Sequence, residues 1–137
     1  MGQIPLFNYS DLMFSPFVDG GRDVLTGLDC WGLLMEVSRR MGHEIPDFRV
    51  SCFASADIDE RVREESPRLA TRVDAPEPGA VVAMAMELLL PHAVQHFGVM
   101  VDNRRFLHTL ECKGPLLTKI DDGYFCKRIK GFYTWKR

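Results

Sequence analysis

Cys30, Leu33, Leu34, Val37 and Met41 recur at three- and four-residue steps, the period of a helix with one buried face. Asp29 precedes them as an N-cap and Gly42 follows as a stop signal, so the pattern predicts an amphipathic helix over 29–41. The run "SADIDERVREESPRLA", residues 55–70, predicts a second, mostly solvated helix that Ser55 or Asp57 would cap. Past "APEPG" the period changes to two. "AVVAMAM", "AVQHFGVMV", "RFLHTLE" and the closing "CKRIKGFYTWKR" read as strands. The start of the chain, punctuated by Pro5, Pro16 and Gly20–Gly21, reads as an irregular arm (1–15) running into a loop. A helix carrying a cysteine, packed on a mostly antiparallel sheet, is an α+β arrangement, expected here as one domain over 1–137.

With 137 residues, 46% hydrophobic and 26% charged, the chain can bury a core without disulfides or metal. A net charge of -2 gives no basic footprint, which argues against nucleic acid as a partner. No basic and then apolar leader opens the chain, and no stretch reaches the roughly 18 apolar residues of a membrane span. Leu6 stands where a myristoylation signal needs Ser or Thr. A protein synthesised in the cytoplasm, with no signal peptide, is the expectation. Cys30, Cys52, Cys112 and Cys126 form no CxxC pair, which argues against a zinc site or a disulfide scaffold. Cys52, Cys112 and Cys126 read as small buried packing residues.

Cys30 differs because it falls in the first turn of the predicted helix, where unpaired N–H groups and the macrodipole favour a thiolate. Position alone leaves a packing cysteine and a nucleophile equally open. The histidines sharpen the choice. Alternation groups His96 with Gly98 and Met100, and His108 with Phe106 and Leu110. A loop over 102–104 pairs Val101 with Arg105 and sets Gly98 opposite His108, leaving His96 diagonal to His108 on one face, about 7–8 Å away between backbones. A two-residue turn would separate them onto opposite faces. Both rings are expected on the helix-facing side, as a base and its orienting partner. His43 reads as a surface residue, and Pro91 argues against a helical His92–His96 metal pair. No metal or cofactor is expected.

"GLDCWGLL", "HFGVMV" and "RFLHT", in that order, resemble the NlpC-type cell-wall cysteine peptidases, a papain-like superfamily. The tryptophan after the cysteine, "GGRD" upstream and "KRIKGFYTWKR" at the end are most similar to the branch found in phage tail-assembly proteins and prophages. The resemblance runs from about Pro16 to the C-terminus. It implies Cys30 as nucleophile, His96 as general base and His108 as the residue that orients it. It also implies peptidoglycan stem peptides as substrates, typically cut between γ-D-glutamate and a diamino acid, with phage tail-tip proteins as partners and delivery to a tail or to the cell wall. Asp29 matches the family's acid, where it would meet a substrate ammonium group, although N-capping explains it equally well. Where relatives carry Tyr in "Y-x-W-G-G", this chain has Phe17 and Asp19, which with Trp31 become substrate-binding candidates. The family's "PGD" is Pro78-Gly79-Ala80 here. The long interval from Cys30 to His96 marks 54–75 as an insertion that would cover the cleft or serve a partner. The alternative is a non-catalytic tail-assembly or cell-wall-binding module on the same fold. Acyl transfer to lipid or amine would call for an apolar channel or a membrane-facing segment, and neither is visible in the sequence.

Overall fold

The computed structural model describes residues 6–136, so the first five residues of the expected arm lie outside the described residues, as does Arg137. A 3-10 turn over Ser10–Phe14 drops Leu12 into the core, and a two-stranded hairpin, β1 (Arg22–Asp23) and β2 (Gly27–Leu28), leads into helix α1 (Cys30–Arg40). Helix α2 (Ser55–Leu69) follows, then β3 (Ala70–Val73), β4 (Val81–Met84), β5 (His96–Met100), β6 (Arg105–Leu110), β7 (Gly114–Lys119) and β8 (Ile129–Trp135). The last six strands form one sheet, ordered β3-β8-β4-β5-β6-β7, with antiparallel neighbours throughout. This is the expected α+β fold, a cysteine-bearing helix on an antiparallel sheet.

Helix α1 begins where its sequence pattern predicts. The Asp29 side chain accepts from the Gly32 N–H at 2.8 Å, a cap that contributes about 1 kcal/mol. Arg39 and Arg40 occupy the last turn, where cations suit the C-terminal end of the dipole. Leu33, Leu34 and Val37 pack on one face of the sheet, in a cluster with Val81, Phe97, Val99 and Leu107. The other face builds a second cluster from Val82, Met84, Met100, Phe106 and Phe125. Trp135 ties the last strand to α1 by donating to the Ser38 hydroxyl at 3.0 Å.

Several expectations change. Ala54 is the N-cap of α2 and no side chain caps that helix, so neither Ser55 nor Asp57 does so. Ser55 instead donates to Glu87 at 3.3 Å, and Asp59 accepts the Val94 N–H at 2.8 Å, which ties α2 to the segment leading into β5. Strands β3 and β7 lie outside the elements that the hydrophobic pattern predicts. The first is an edge strand paired only to β8, and the second opens on Gly114-Pro115, which reads as turn material. Cys112 and Cys126 are exposed and Cys52 is half-buried, which overturns the packing role for all three. His43, expected at the surface, is half-buried.

Candidate active site

Two glycines bring a loop onto the start of α1. A Cβ at Gly32 would sit 2.1 Å from the Gly21 carbonyl oxygen, so only a bare helix turn lets that loop approach. The loop then converges on Asp29, whose carboxylate accepts from the N–H groups of Gly32 and Gly20 and from the Arg22 guanidinium, each at 2.8 Å. With 1% exposure and both oxygens engaged, Asp29 shapes the turn that presents Cys30. Asp19 likewise braces a loop. It accepts the Cys52 N–H at 2.9 Å and the Ser51 hydroxyl at 2.7 Å, bonds that hold its carboxyl below the usual carboxylate range. Phe17 is half-buried against Phe53, with ring centroids 6.4 Å apart. Trp31 donates to the Pro46 carbonyl at 3.0 Å and packs against Phe48 and Phe97. Asp19, Asp29 and Cys52 bring ligand-type atoms within 4.8 Å of one another, but Arg22 already neutralises Asp29, and Asp19 is committed to the 51–52 loop.

The histidines meet as the register requires. Val99 lies opposite Leu107, Met100 opposite Phe106, and the Val101 N–H donates to Arg105 at 2.9 Å. At Gly98 β5 lies close against β6, where a Cβ would come within 2.8 Å of Phe106 Cδ2 and 3.3 Å of His108 Cβ. The two rings meet beside it, His96 Nε2 lying 2.9 Å from His108 Nδ1. His108 Nε2 continues the chain to the Thr118 hydroxyl at 2.7 Å. Thr118 is absent from the sequence-based candidates because its strand, β7, was itself unread.

The expected side of the sheet is corrected. Both rings share a face, but His108 packs 4.7 Å from Phe106 and 4.9 Å from Phe125, within the cluster opposite α1. Helix α1 covers Phe97 and Val99, and strand alternation therefore directs His96 to the far side. Cys30 approaches from the helix side at the very end of β5. Its thiol points to the Gln95 carbonyl at 3.9 Å, one peptide group from His96, and among the described residues no hydrogen bond joins Cys30 to His96.

Burial pushes the Cys30 thiol up to about 12, and the Asp29 charge adds to the rise, while the N–H groups of Phe97 and Trp31 and the Arg22 charge oppose it. Desolvation thus outweighs the pull of the helix N-terminus. Burial also pushes His96 down to about 3, aided by repulsion from His108, and His108 down to about 4. At neutral pH the resting pair is a thiol and a neutral imidazole. Such a pair performs general-base chemistry, in which the proton moves as the sulfur attacks.

The NlpC/P60 family matches residues 15–134, and the chain belongs to that family. Among curated proteins none matches. A crystal structure described as similar to a lipoprotein of the NLP/P60 family, from Staphylococcus aureus subsp. aureus Mu50, shares the fold with a TM-score of 0.64 at 17% identity. The alignment covers 94% of this chain and 39% of that one, so the chain spans well under half of that protein. Membership in NlpC/P60, whose members are generally cysteine peptidases acting on peptidoglycan, supports cell-wall peptidase or amidase chemistry.

Proposed function

We propose that this NlpC/P60 domain is a cysteine peptidase or amidase that hydrolyses peptidoglycan stem-peptide amides through Cys30, His96 and His108. The observation that carries the reading is the hydrogen-bonded line from Thr118 through His108 to His96, ending one peptide group from the Cys30 thiol. Only one tautomeric arrangement of that line leaves a base facing the sulfur. His108 donates its Nε2–H to Thr118 and accepts at Nδ1 from the His96 Nε2–H, so His96 Nδ1 keeps a free lone pair.

When substrate arrives, rotation of the thiol from the Gln95 carbonyl toward His96 lets Nδ1 take the proton as Cys30 attacks the amide carbonyl. The Cys30 backbone N–H, in the first turn of α1 and without an intrahelical acceptor, faces the developing oxyanion. The imidazolium returns its proton to the leaving amine, and water, deprotonated by His96, then hydrolyses the thioester. The amide between γ-D-glutamate and a diamino acid is the first bond to test, since the sequence motifs imply it. Action on the cell wall as part of a phage tail rests on the Gly20–Gly21–Arg22–Asp23 and C-terminal motifs.

The non-catalytic binding or assembly module has one observation in its favour, the protonated thiol with no bond to His96. Incubation with defined muropeptides separates the two, read by mass spectrometry beside a Cys30→Ala control. Cleavage by the wild type alone supports the enzyme. Binding of fragments without cleavage, unchanged in His96→Ala, supports the module.

A further inference from the structure

On the face of the sheet opposite α1, where His108 lies, the turn that joins β7 to β8 sends one ring inward. From Asp121 to Lys127 every residue is exposed except Phe125, which is 8% exposed. Its backbone is pinned on both sides. The Asp122 carboxylate accepts the N–H groups of Tyr124 at 2.9 Å and Phe125 at 3.2 Å, and the Phe125 carbonyl accepts those of Arg128 at 2.8 Å and Ile129 at 3.1 Å. So held, the Phe125 ring meets His108 in a T-shaped contact, with centroids 4.9 Å apart and planes at 83°. Phe106 lies 4.7 Å from the same imidazole and 6.0 Å from Phe125, which seats His108 in a notch between two phenyl rings.

We propose that Phe125 is a positioning residue for the hydrolysis: it closes His108 off from water on the side of the turn and so keeps that ring neutral, in the tautomer that leaves His96 a base. This rests on Cys30, His96 and His108 forming the catalytic line. A neutral His108 that donates its Nε2–H to Thr118 keeps a lone pair at Nδ1, which accepts the His96 Nε2–H. One proton taken up from solvent reverses the order. His108 then carries N–H at both nitrogens, its Nδ1–H donates to His96 Nε2, and His96 holds its own proton at Nδ1, where no lone pair is left to face Cys30. Water beside His108 favours that charged form, and apolar cover disfavours it. Burial alone holds His108 at about 4. The groups that face it are His96 from β5, Thr118 from β7, Phe106 from β6 and Phe125 from the turn, and His96 is the titratable one among them. Of the turn's charges, Asp121 and Lys127 are exposed, Asp122 is committed to the Tyr124 and Phe125 N–H groups, and Arg128 lies over the Tyr124 ring, 3.7 Å from its centroid. A hydroxyl or amide in place of Phe125 would offer His108 a second partner and loosen the tautomer, whereas a phenyl ring offers none.

Nitrogen-15 NMR of the histidine rings as a function of pH tests this without turnover. In Phe125→Ala the His108 titration is expected to rise from about 4 to near the ordinary histidine value of about 6.5. Its kcat on a defined muropeptide then falls about tenfold more than that of the wild type between pH 8 and pH 5.5, which is the neutral fraction left by a group titrating at about 6.5. Phe125→Leu still excludes water and keeps the titration below about 5.5, and Cys126→Ser, on the exposed side of the same turn, leaves it where it was. Lost packing alone would lower the stability of Phe125→Ala without moving His108. Should Phe125→Ala not fold, Phe125→Leu and the wild type carry the test, since a sealed His108 shows its Nε2–H as a slowly exchanging ring proton at neutral pH. A wild-type His108 titration in folded Phe125→Ala, or a ring proton in the wild type that exchanges as fast as in free histidine, overturns the seal whatever the turnover. A raised titration in Phe125→Ala, beside a wild type that cleaves no muropeptide, upholds the seal and overturns the catalytic reading. No cleavage and no shift overturn both.

Discussion

The two sides of Cys30 are built by opposite means. On the histidine side every group is placed by strand pairing: His96, His108 and Thr118 come from three adjacent strands and are joined by hydrogen bonds of 2.9 and 2.7 Å. On the other side, between Cys30 and α2, lies a cavity whose walls are largely apolar side chains, and its roof is a helix whose N-cap is an alanine. A sheet fixes direction and proton position, which a reaction needs. A helix laid over apolar space encloses it, and here Asp59 also ties that helix to the segment leading into β5.

The comparison breaks most completely at the relay. Cys30→Ala and His96→Ala are expected to abolish muropeptide cleavage, since an acid–base group contributes ~10²–10⁴-fold and the thiol also loses its activator. His108→Asn, which keeps a hydrogen-bonding group, should retain more activity than His108→Ala. Circular dichroism checks that each variant folds, and full turnover in a folded His96→Ala would sink the assigned base.

A second way to test the relay side is pH. His96 and His108 sit at about 3 and about 4 in the folded chain, below the ordinary histidine value of about 6.5, because both are buried. As pH falls through 6.5, the unfolded chain takes up these protons before the folded one. The stabilisation is therefore complete above that pH and is lost progressively toward pH 4 and below. The limiting slope is about 1.4 kcal/mol per pH unit for each histidine. Urea unfolding between pH 7.5 and 4.5 measures it, and His96→Gln should remove about half of the slope. Stability that stays flat across this range would mean the rings are open to water.

Thr118 gives a smaller and more diagnostic effect. Thr118→Val leaves the buried His108 Nε2–H without an acceptor, at a cost of about 1–3 kcal/mol, and releases the tautomer that leaves His96 Nδ1 free. Thr118→Ser restores the acceptor. The expected outcome is a kcat loss of about tenfold in the valine variant and near wild-type turnover in the serine one. Nitrogen-15 shifts of both rings report the tautomers directly. Equal tautomer populations in all three proteins would reduce Thr118 to packing.

How legible each side was in the sequence follows from the same difference. The His96–His108 contact could be read because strand alternation and the length of loop 102–104 determine register, and Gly98 marks the close approach. The face could not, since alternation separates two sets of residues without saying which one α1 covers. Thr118 was missed with β7, whose Gly114-Pro115 opening hides a six-residue strand. The weight of burial on the Cys30 thiol was not legible either, because the helix N-terminus is visible in the sequence and complete burial is not. The cavity escaped for another reason. Ile58, Val62 and Leu69 follow a helical period, but the charged residues among them make α2 read as a wet helix, and the apolar stripe becomes visible only once it lies beside Cys30.

The least expected effect lies on the cavity side, where α2 begins without a side-chain cap. Its first turn leaves backbone N–H groups that the Ala54 side chain cannot accept, whereas the equivalent position of α1 is filled by Asp29. Ala54→Ser supplies an acceptor at that position and should stabilise the protein by about 0.5–1 kcal/mol. Because α2 supplies no side chain to the hydrogen-bonded line of His96, His108 and Thr118, the gain should leave the His96 pH profile unchanged while slowing hydrogen exchange in the first turns of α2. Native-state exchange read by mass spectrometry measures both halves at once. If protection rises equally in β5 and β6, the two sides of Cys30 unfold as one unit and their independence fails; if it rises in α2 alone, the two sides are separable.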